Sequence, residues 1–206
     1  MAAKIVVVDL GLGNLRSVAR ALERAGASAT ISADHKVIRQ APRIVVPGQG
    51  AFRDCASALA RGFDEVLHEF IASGRPYLGI CLGMQLLFER SAEAPSAKGL
   101  GLFAGSVERF SGEMRDEASG ERLKVPHMGW NQVMGQHPWL AEGGWYYFVH
   151  SYYCVPAAAE LSVGRVHYGD DFCAVVARDN VFACQFHPEK SQEDGHVLLS
   201  RFVEST

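Results

Sequence analysis

The most chemically suggestive stretch of the sequence is residues 79–83, Gly-Ile-Cys-Leu-Gly, in which Cys81 lies between two glycines. An apolar run leads into this stretch and a helical pattern leaves it. This is the arrangement of a G-x-nucleophile-x-G elbow, with cysteine in place of serine. A helix N-terminus at this turn favours the thiolate of Cys81 and leaves the N–H of Leu82 free to face an oxyanion. A buried structural cysteine in a tight turn explains the local pattern equally well.

A thiol nucleophile needs a general base, and residues 185–191, Gln-Phe-His-Pro-Glu-Lys-Ser, supply a candidate. His187 and Glu189 are two residues apart, so in an extended segment they lie on the same side of the chain, where the carboxylate can orient the imidazole. They follow a predicted strand, at the end of the sheet where α/β proteins place their sites. The alternative is a surface histidine beside a Glu189–Lys190 ion pair. The elbow elsewhere in the same chain favours the catalytic interpretation.

A third stretch, residues 47–52 (Pro-Gly-Gln-Gly-Ala-Phe), is rich in glycine and follows a predicted buried strand. Backbone N–H groups around Gly48 and Gly50 can face a developing oxyanion there. A nucleotide loop is disfavoured, because Arg53 stands where a G-x-G-x-x-G motif needs its third glycine and no Walker Lys-Ser/Thr pair follows. The Gly-Leu-Gly turn at residues 11–13 also lacks the third glycine of that motif, so a nucleotide loop is disfavoured there too. Ordinary turn glycines are the alternative for both loops.

The composition narrows the class of protein. The 206 residues carry 20 basic and 23 acidic side chains, and 48% of the residues are hydrophobic, so we expect a globular chain. A net charge of -3 offers no basic surface for nucleic acid or an anionic membrane. No apolar run approaches the roughly 18 residues of a membrane helix, and the start of the chain does not resemble a signal peptide. We therefore expect a cytoplasmic protein with no nucleic-acid or membrane partner.

The five cysteines indicate neither a disulfide framework nor a zinc site. Their number is odd and no C-x-x-C spacing occurs, which argues against both. Apart from Cys81, each is expected to be a small buried apolar residue: Cys55, Cys154, Cys173 and Cys184. We expect no metal and no cofactor.

Strand and helix patterns alternate in the first half of the sequence. Continuous apolar runs predict strands over residues 4–10, 27–32, 43–46 and 76–80. Helical patterns predict one helix that begins after Asn14 and ends at Gly26, a second over residues 53–73, and a third over 82–90. Alternation with buried strands implies an α/β fold, doubly wound, with a largely parallel central sheet and flanking helices.

The second half consists of short strands separated by turns, which predicts an additional antiparallel strand region. The predicted strands cover residues 102–110, 131–134, 145–149, 152–155, 161–167, 172–177 and 181–186. Asp179 and Asn180 are expected to form the turn of the last hairpin, and residues 111–124 a polar surface loop. Ser191 and Asp194 resemble a capping box that begins a last helix. Without a repeat or a linker, we expect a single domain over residues 1–206.

Taken together, residues 79–85, 47–50 and 187–189 resemble the class I (triad) glutamine amidotransferases, in the right order over essentially the whole chain. Within that family, four further stretches are similar to the glutaminase subunits of imidazole glycerol phosphate synthase: residues 9–15, 126–131, 147–152 and 185–191. Two residues depart from the pattern. Leu10 stands where an aromatic residue is expected, and Gln49 where a small apolar residue is expected.

The resemblance implies acyl transfer from L-glutamine. Cys81 is expected to attack the side-chain amide, His187 to activate the thiol and protonate the departing ammonia, and Glu189 to hold the imidazole. Water then hydrolyses the thioester to glutamate. The main-chain N–H groups near Gly50 and Leu82 are expected to bind the oxyanion.

The same resemblance implies a binding site and a partner. Gly50, Gln85 and Ser151 are expected around the bound glutamine. Ammonia is expected to pass by an internal route to a (β/α)8-barrel cyclase in a heterodimer. There it reacts with a phosphoribosyl-formimino carboxamide nucleotide, giving imidazole glycerol phosphate and an aminoimidazole carboxamide ribotide in histidine biosynthesis. Trp130 and Lys190 are expected near the interface; a core aromatic residue and a solvated surface lysine are the alternatives.

Three other functions compete with this one. The chain fits a different amidotransferase subunit, serving aminobenzoate, guanylate or pyridoxal phosphate synthesis. A catalytically silent regulatory module is disfavoured because Cys81, His187 and Glu189 are all present. A thiol hydrolase of peptides also fits the triad, but Gln85 and the glycine-rich loop favour a small amide.

Overall fold

The computed structural model describes residues 2–141 and 143–205, and over these residues the strands form an 11-stranded sheet and a separate two-stranded sheet. The strands are, in chain order, β1 (Ala3–Val8), β2 (Ala27–Ser32), β3 (Ile44–Gly48), β4 (Tyr77–Cys81), β5 (Phe88–Ser91), β6 (Phe103–Arg109), β7 (His127–Gln132), β8 (Met134–Gly135), β9 (Trp145–His150), β10 (Tyr152–Pro156), β11 (Ser162–Tyr168), β12 (Asp170–Arg178) and β13 (Val181–Cys184). The large sheet has the order β2-β1-β3-β4-β13-β12-β10-β6-β5, with β11 beside β12 and β8 beside β11. β7 and β9 form the small sheet.

Helices cover both faces of the parallel half of the large sheet. They are α1 (Leu15–Arg24), α2 (His35–Gln40), α3 (Phe52–Ala58), α4 (Asp64–Ala72), α5 (Leu82–Gln85) and α6 (Gln192–Glu204). Alternate residues of a strand point to opposite faces. Ile5 and Val7 of β1 pack in one core cluster with residues of α1 and α6, whereas Val6 and Val8 pack in the other with residues of α3 and α4. Within the part of the chain that is described, no helix is both long and apolar enough to cross a membrane.

The pairing of the strands confirms the predicted fold class. The five neighbouring strands from β2 to β13 are parallel. From β13 onwards the pairs β13–β12, β12–β10 and β10–β6 are antiparallel. The chain therefore has a doubly wound parallel half and an antiparallel extension on one side of it.

The start and end signals of α1 act as predicted. Oδ1 of Asn14 accepts a hydrogen bond from the backbone N–H of Ser17 at 3.3 Å, which satisfies one of the free N–H groups of the first turn. Gly26 has a φ of 91°, a conformation that glycine adopts without strain, and the chain leaves the helix there. Val18 and Leu22 lie on the buried stripe.

The prediction of one helix over residues 53–73 is wrong. α3 and α4 are separated by a π-helical turn, Leu59–Phe63, in which Gly62 has a φ of 98°. A side chain at Gly62 would also be obstructed, because a Cβ there would lie 2.9 Å from Cε1 of His35. His35 is the first residue of α2. This helix was not predicted, because its six residues are too few to show a helical period.

The prediction of a helix over residues 82–90 is also wrong beyond its first turn. After α5 the chain enters β5, which pairs with β6. Leu86 and Leu87 are fully buried, so this stretch has no polar face to define a period. Their carbonyls accept hydrogen bonds from the backbone N–H groups of Leu100 (2.7 Å) and Phe103 (3.0 Å). Residues distant in sequence therefore supply the partners that a longer helix would have supplied.

The second half contains antiparallel strands as predicted, but some of their boundaries differ from the prediction. Asp179, with a φ of 53°, forms the turn of the β12–β13 hairpin as predicted. β7 begins at His127, earlier than the predicted strand over 131–134. The capping box is wrong. Oγ of Ser191 donates to the carbonyl of His187 at 2.6 Å, and the Asp194 carboxylate accepts a backbone hydrogen bond from β9. Helix α6 nevertheless forms where it was predicted.

Gly83→Ala is expected to destabilise the fold, because a Cβ at this position would lie 1.8 Å from the carbonyl oxygen of Val46. The clash is with backbone, so α5 and β3 must separate to relieve it, and we expect the free energy of unfolding to fall by about 3 kcal/mol. Urea unfolding followed by circular dichroism measures the change. Gly112→Ala is the matched control, since a Cβ there meets only the end of the flexible Arg122 side chain, 3.2 Å away. An unchanged unfolding midpoint for Gly83→Ala would contradict the close approach.

Candidate active site

Three adjacent strands bring the predicted site residues to one edge of the sheet. β4 lies between β3 and β13, and the three strands are parallel, so their carboxyl ends meet. Gly48 at the end of β3 pairs with Cys81 at the end of β4. On the other side, Cys184 at the end of β13 pairs with Ile80. His187 follows β13 closely and therefore comes to the same edge.

The elbow has the strained backbone expected of a nucleophile turn. Cys81 has a φ of 55° and a ψ of -108°, a conformation that a residue with a side chain rarely adopts. Its neighbours pack too closely for side chains: a Cβ at Gly79 would lie 2.6 Å from the carbonyl oxygen of Gly83. Gly48 supports the turn from β3, where a Cβ would lie 2.7 Å from Cβ of Leu82. Residues without side chains therefore let the elbow pack against the strand beside it.

His187 and Glu189 form a buried hydrogen-bonded pair. Nδ1 of His187 donates to Oε1 of Glu189 at 2.8 Å, and the two side chains are 2% and 1% exposed. Burial by itself lowers the pKa of His187, but the nearby Cys81 and the hydrogen bond to Glu189 raise it to about 10. The imidazole is therefore protonated at neutral pH. Among the residues described, its Nε2 has no hydrogen-bond partner, so this nitrogen is available to a group bound in the site.

Cys81 and His187 line the same cavity, of about 410 Å³. The other predicted site residues on its wall are Gly50, Leu82, Gln85, Ser151 and Lys190. Gln49 also lines it, whereas Gly48 and Trp130 do not. Trp130 is 43% exposed on β7, which excludes the alternative of a core aromatic residue.

The predicted site residues did not include Glu93. Glu93 lines the cavity, and its Oε2 accepts a hydrogen bond from the backbone N–H of Phe52 at 2.8 Å. Phe52 is the first residue of α3, and Ala51 before it makes no side-chain cap. The Glu93 carboxylate therefore caps α3 and anchors the segment that follows Gly50. It lies in a stretch without a motif, so only the tertiary contact identifies it.

A chain of buried side-chain amides ends at the nucleophile. Nε2 of Gln185 donates to Sγ of Cys81 at 3.5 Å, and Oε1 of Gln185 accepts from Nε2 of Gln85 at 3.0 Å. Nε2 of Gln85 also donates to the carbonyl of Tyr152 at 3.2 Å. Gln185 was not among the predicted site residues. Its position two residues before His187 was the available signal, because such residues share one side of an extended segment.

Two buried histidines, opposite each other in the β7–β9 pair, continue this chain. Nδ1 of His150 donates to the carbonyl of Tyr152 at 2.8 Å, and Nε2 of His150 lies 3.0 Å from Nδ1 of His127. Burial lowers the pKa of His127 to about 4. Burial lowers the pKa of His150 to about 3, and the nearby His127 and His187 act in the same direction. Both imidazoles are therefore neutral at neutral pH.

The arrangement is suited to nucleophilic acyl transfer. A thiol on a strained turn, an imidazole held by a carboxylate, and glycine-rich backbone share one small cavity, which are the parts that such chemistry requires. Over residues 2–141 and 143–205, no cluster of three His, Cys, Asp or Glu side chains that could hold a metal ion occurs.

The chain matches the family model described as "Glutamine amidotransferase class-I" over residues 6–205. It is 51% identical over 204 residues to "Imidazole glycerol phosphate synthase subunit HisH" of Syntrophotalea carbinolica, covering 96% of this chain and 98% of that protein. It is 48% identical over 207 residues to the protein of the same name from Geobacter sulfurreducens, covering 98% of each. Among solved structures, it is similar to a "glutamine amidotransferase" (TM-score 0.73, 19% identity, covering 95% of this chain and 98% of that one) and to "PurLQS from Thermotoga maritima" (TM-score 0.74, 20% identity, covering 98% of each).

Limited iodoacetamide treatment is expected to label Cys81 before the other four cysteines. Cys81 lines the cavity, whereas the other four are fully or almost fully buried away from it. Burial also raises the pKa of Cys55 to about 12 and that of Cys173 to about 11. Mass-spectrometric mapping of the labelled peptides measures the order of reaction. Labelling in urea is the control, because all five thiols react once the chain unfolds; equal labelling of Cys55 in the folded chain would contradict the prediction.

The buried histidine pair is expected to make the fold sensitive to mild acid. The unfolded chain protonates these histidines near pH 6.5, whereas the folded chain resists until about pH 4 for His127 and about pH 3 for His150. The unfolded state thus binds more protons in this window. The free energy of unfolding falls as the pH falls from 6.5 towards 4, by up to about 1.4 kcal/mol per pH unit for each histidine. His187 adds no slope there, because below pH 6.5 it is protonated in both states.

The measurement is urea unfolding at several pH values between 7 and 4.5. His127→Gln keeps a side-chain donor towards His150 and removes one of the two titrating groups, so its slope is expected to be shallower than that of the wild-type chain. The same exchange at the exposed His68 of α4 is the matched control. Equal slopes for His127→Gln and the wild-type chain would contradict the prediction.

Proposed function

Because the chain belongs to the class I glutamine amidotransferase family, we propose that it hydrolyses L-glutamine to glutamate and ammonia as the glutaminase subunit of imidazole glycerol phosphate synthase. The observation that carries this proposal is that Cys81 and His187 line one cavity of about 410 Å³, while Glu189 holds the imidazole of His187 from behind. The relatives that share half of the sequence are named as a subunit of that synthase.

The reaction proceeds through a thioester on Cys81. The thiol of Cys81 gives its proton to His187, and the thiolate sulfur attacks the side-chain amide carbon of glutamine. The C–N bond breaks when the tetrahedral intermediate collapses. His187, protonated at neutral pH because its pKa is about 10, donates a proton to the departing nitrogen, which leaves as ammonia. The neutral imidazole then takes a proton from water, the hydroxide attacks the thioester, and glutamate leaves. Glu189 holds Nδ1 of His187 throughout.

Backbone N–H groups at Gly50 and Leu82 stabilise the oxyanion. Both residues line the cavity, and Leu82 directly follows Cys81 in the turn. Loss of one such donor lowers kcat by about 10²–10³-fold. Gly48 does not line the cavity. It also provides the space that the elbow occupies, since a Cβ there would meet Leu82.

The amino-acid end of the substrate binds among Gln85, Glu93 and Ser151. Both hydrogen bonds made by Nε2 of Gln85 go to protein acceptors, so Oε1 is the atom that it offers to the substrate. An α-ammonium group needs acceptors and a negative charge, which Oε1 of Gln85 and the Glu93 carboxylate supply. The hydroxyl of Ser151 is a donor for the α-carboxylate.

A partner receives the ammonia, and we place its docking surface on the exposed face of the β7–β9 pair. This face carries the exposed apolar side chains Met128, Trp130 and Trp145, and exposed apolar patches of this kind mark interaction sites. Tyr147 lies on the same face; Nζ of Lys190 is 5.8 Å from the centre of its ring. The backbone carbonyl of Tyr147 accepts the N–H of His187 at 2.9 Å, so this surface adjoins the triad.

The proposed partner is a (β/α)8-barrel cyclase that forms a heterodimer with this chain, which acts as a single glutaminase domain. The cyclase uses the ammonia to make imidazole glycerol phosphate and an aminoimidazole carboxamide ribotide in histidine biosynthesis. We also propose a cytoplasmic location. All five cysteines are free thiols, which is the state that a reducing compartment maintains.

Cys81→Ala is expected to abolish glutamine-dependent synthesis in the reconstituted complex and to spare synthesis from added ammonium salts. The sulfur is needed for amide hydrolysis, whereas ring formation belongs to the partner. Assays of the complex with glutamine and with ammonium chloride measure the two activities. Cys173→Ala, which removes a buried thiol outside the cavity, is the control and should retain both. Loss of both activities in a Cys81→Ala complex that still assembles would refute this division of labour.

A further inference from the structure

The side chain of Gln185 is fully buried between the nucleophile and the substrate-binding wall. It donates to Sγ of Cys81 at 3.5 Å and accepts from Gln85 at 3.0 Å. Burying an amide without partners is unfavourable, yet both polar ends of this one are hydrogen-bonded inside the core. Its backbone is fixed as well, because the N–H of Gln185 donates to the carbonyl of Ala174 at 2.8 Å.

The direction of this amide chain follows from a single backbone carbonyl. The oxygen of Tyr152 can only accept, so the group of Gln85 that faces it must be the NH2 group. The same NH2 group faces Gln185, which must therefore present its oxygen to Gln85. The NH2 group of Gln185 is left facing Sγ of Cys81. The donor towards sulfur is thus fixed by the donors and acceptors along the chain of side chains.

We propose that Gln185 is a positioning residue for the nucleophile: its side-chain N–H donates to the sulfur of Cys81, favours the thiolate, and holds it for attack on the substrate amide. A thiolate is a stronger acceptor than a thiol, and hydrogen bonds to a charged acceptor are the stronger ones. The donor therefore favours the thiolate over the thiol. Because Gln85 lines the cavity and orients Gln185, the substrate-binding wall and the nucleophile share one hydrogen-bonded unit. This role rests on the proposed function for the identity of the nucleophile.

Two substitutions separate this role from simple packing. Gln185→Glu keeps the shape and the acceptor for Gln85 but places a carboxylate oxygen against the sulfur. Gln185→Met keeps the length and removes both polar groups. If Gln185 only fills space, or only holds Gln85, then Gln185→Glu preserves its role. Gln40→Met, on the exposed end of α2, removes the same amide from the surface and is the matched control.

The first measurement is the rate of iodoacetamide alkylation of Cys81 in the full chain between pH 5.5 and 9.5. We expect the profile to move to higher pH in both variants, further in Gln185→Glu than in Gln185→Met, and not to move in Gln40→Met. We also expect kcat for glutamine in the complex to fall between about tenfold and a hundredfold in Gln185→Met, the loss that corresponds to one hydrogen bond to a charged group, with a smaller change in KM. An unmoved alkylation profile in folded Gln185→Glu would overturn the proposal.

A second measurement uses the wild-type chain and does not require a variant to fold. The side-chain ¹⁵N–¹H signals of Gln185 are expected to shift with the same pH midpoint as Cys81 alkylation, while those of Gln40 stay constant. Gln185 signals that stay fixed over this range would overturn the proposal. Neither readout needs glutamine. A wild-type complex without glutaminase activity would therefore refute the proposed function alone, whereas an unmoved alkylation profile in an active enzyme would refute only the role of Gln185.

Discussion

The approach of Gly83 to the carbonyl of Val46 is the constraint on which the rest of the structure depends. It lets the turn after β4 pack directly on β3, with no side chain between them. Strained backbone at a site persists only where the surroundings over-determine it, and here the strands on both sides do so. With Cys81 fixed between them, β3 delivers the glycine-rich loop on one side and β13 delivers His187 on the other. The order of three strands thereby sets the geometry of the site.

Three buried histidines differ in protonation state, and their hydrogen-bond partners explain the difference. His127, His150 and His187 are all buried, and burial alone disfavours the charged form of each. His187 has a carboxylate and a thiol as neighbours, which raise its pKa to about 10. His150 has only a backbone carbonyl and another neutral imidazole, and its pKa falls to about 3. One of the three histidines is therefore protonated, while the other two are uncharged hydrogen-bond links.

The parts of the site with strong local constraints could be predicted from the sequence. The elbow glycines around Cys81 and the spacing of His187 and Glu189 reflect requirements of neighbouring residues, and the structure brings these three residues together. The contributions of Glu93 and Gln185 depend on contacts with residues distant in sequence. The position of Gln185 two residues before His187 indicates a shared side of the chain but not the contact with Gln85, and nothing near Glu93 indicates its contact with Phe52.

The errors in the fold have the same origin. The helical pattern over residues 82–90 fails because residues 100–103 compete for its backbone hydrogen bonds. The predicted helix over residues 53–73 is interrupted at Gly62, because the hydrophobic period of the sequence does not indicate the positive φ of this residue. Local signals such as Asn14 and Gly26, by contrast, set the ends of α1 correctly, because capping and termination act within a few residues. The sequence thus specifies local geometry well and long-range competition poorly.

Strand β9 places successive side chains under different selective pressures. Its even-numbered positions, from Tyr146 to His150, fill the interior, while its odd-numbered positions, from Trp145 to Val149, lie on the exposed face of the pair with β7. Under the proposed docking mode, a change at an even position has to be compensated within this chain, and a change at an odd position within another gene product. Adjacent residues of one short strand are therefore expected to coevolve with two different proteins. An alignment that pairs sequences of this chain with sequences of its partner would show this. Along β9, positions that covary with residues of this chain would alternate with positions that covary with residues of the partner, with the period of two of a strand.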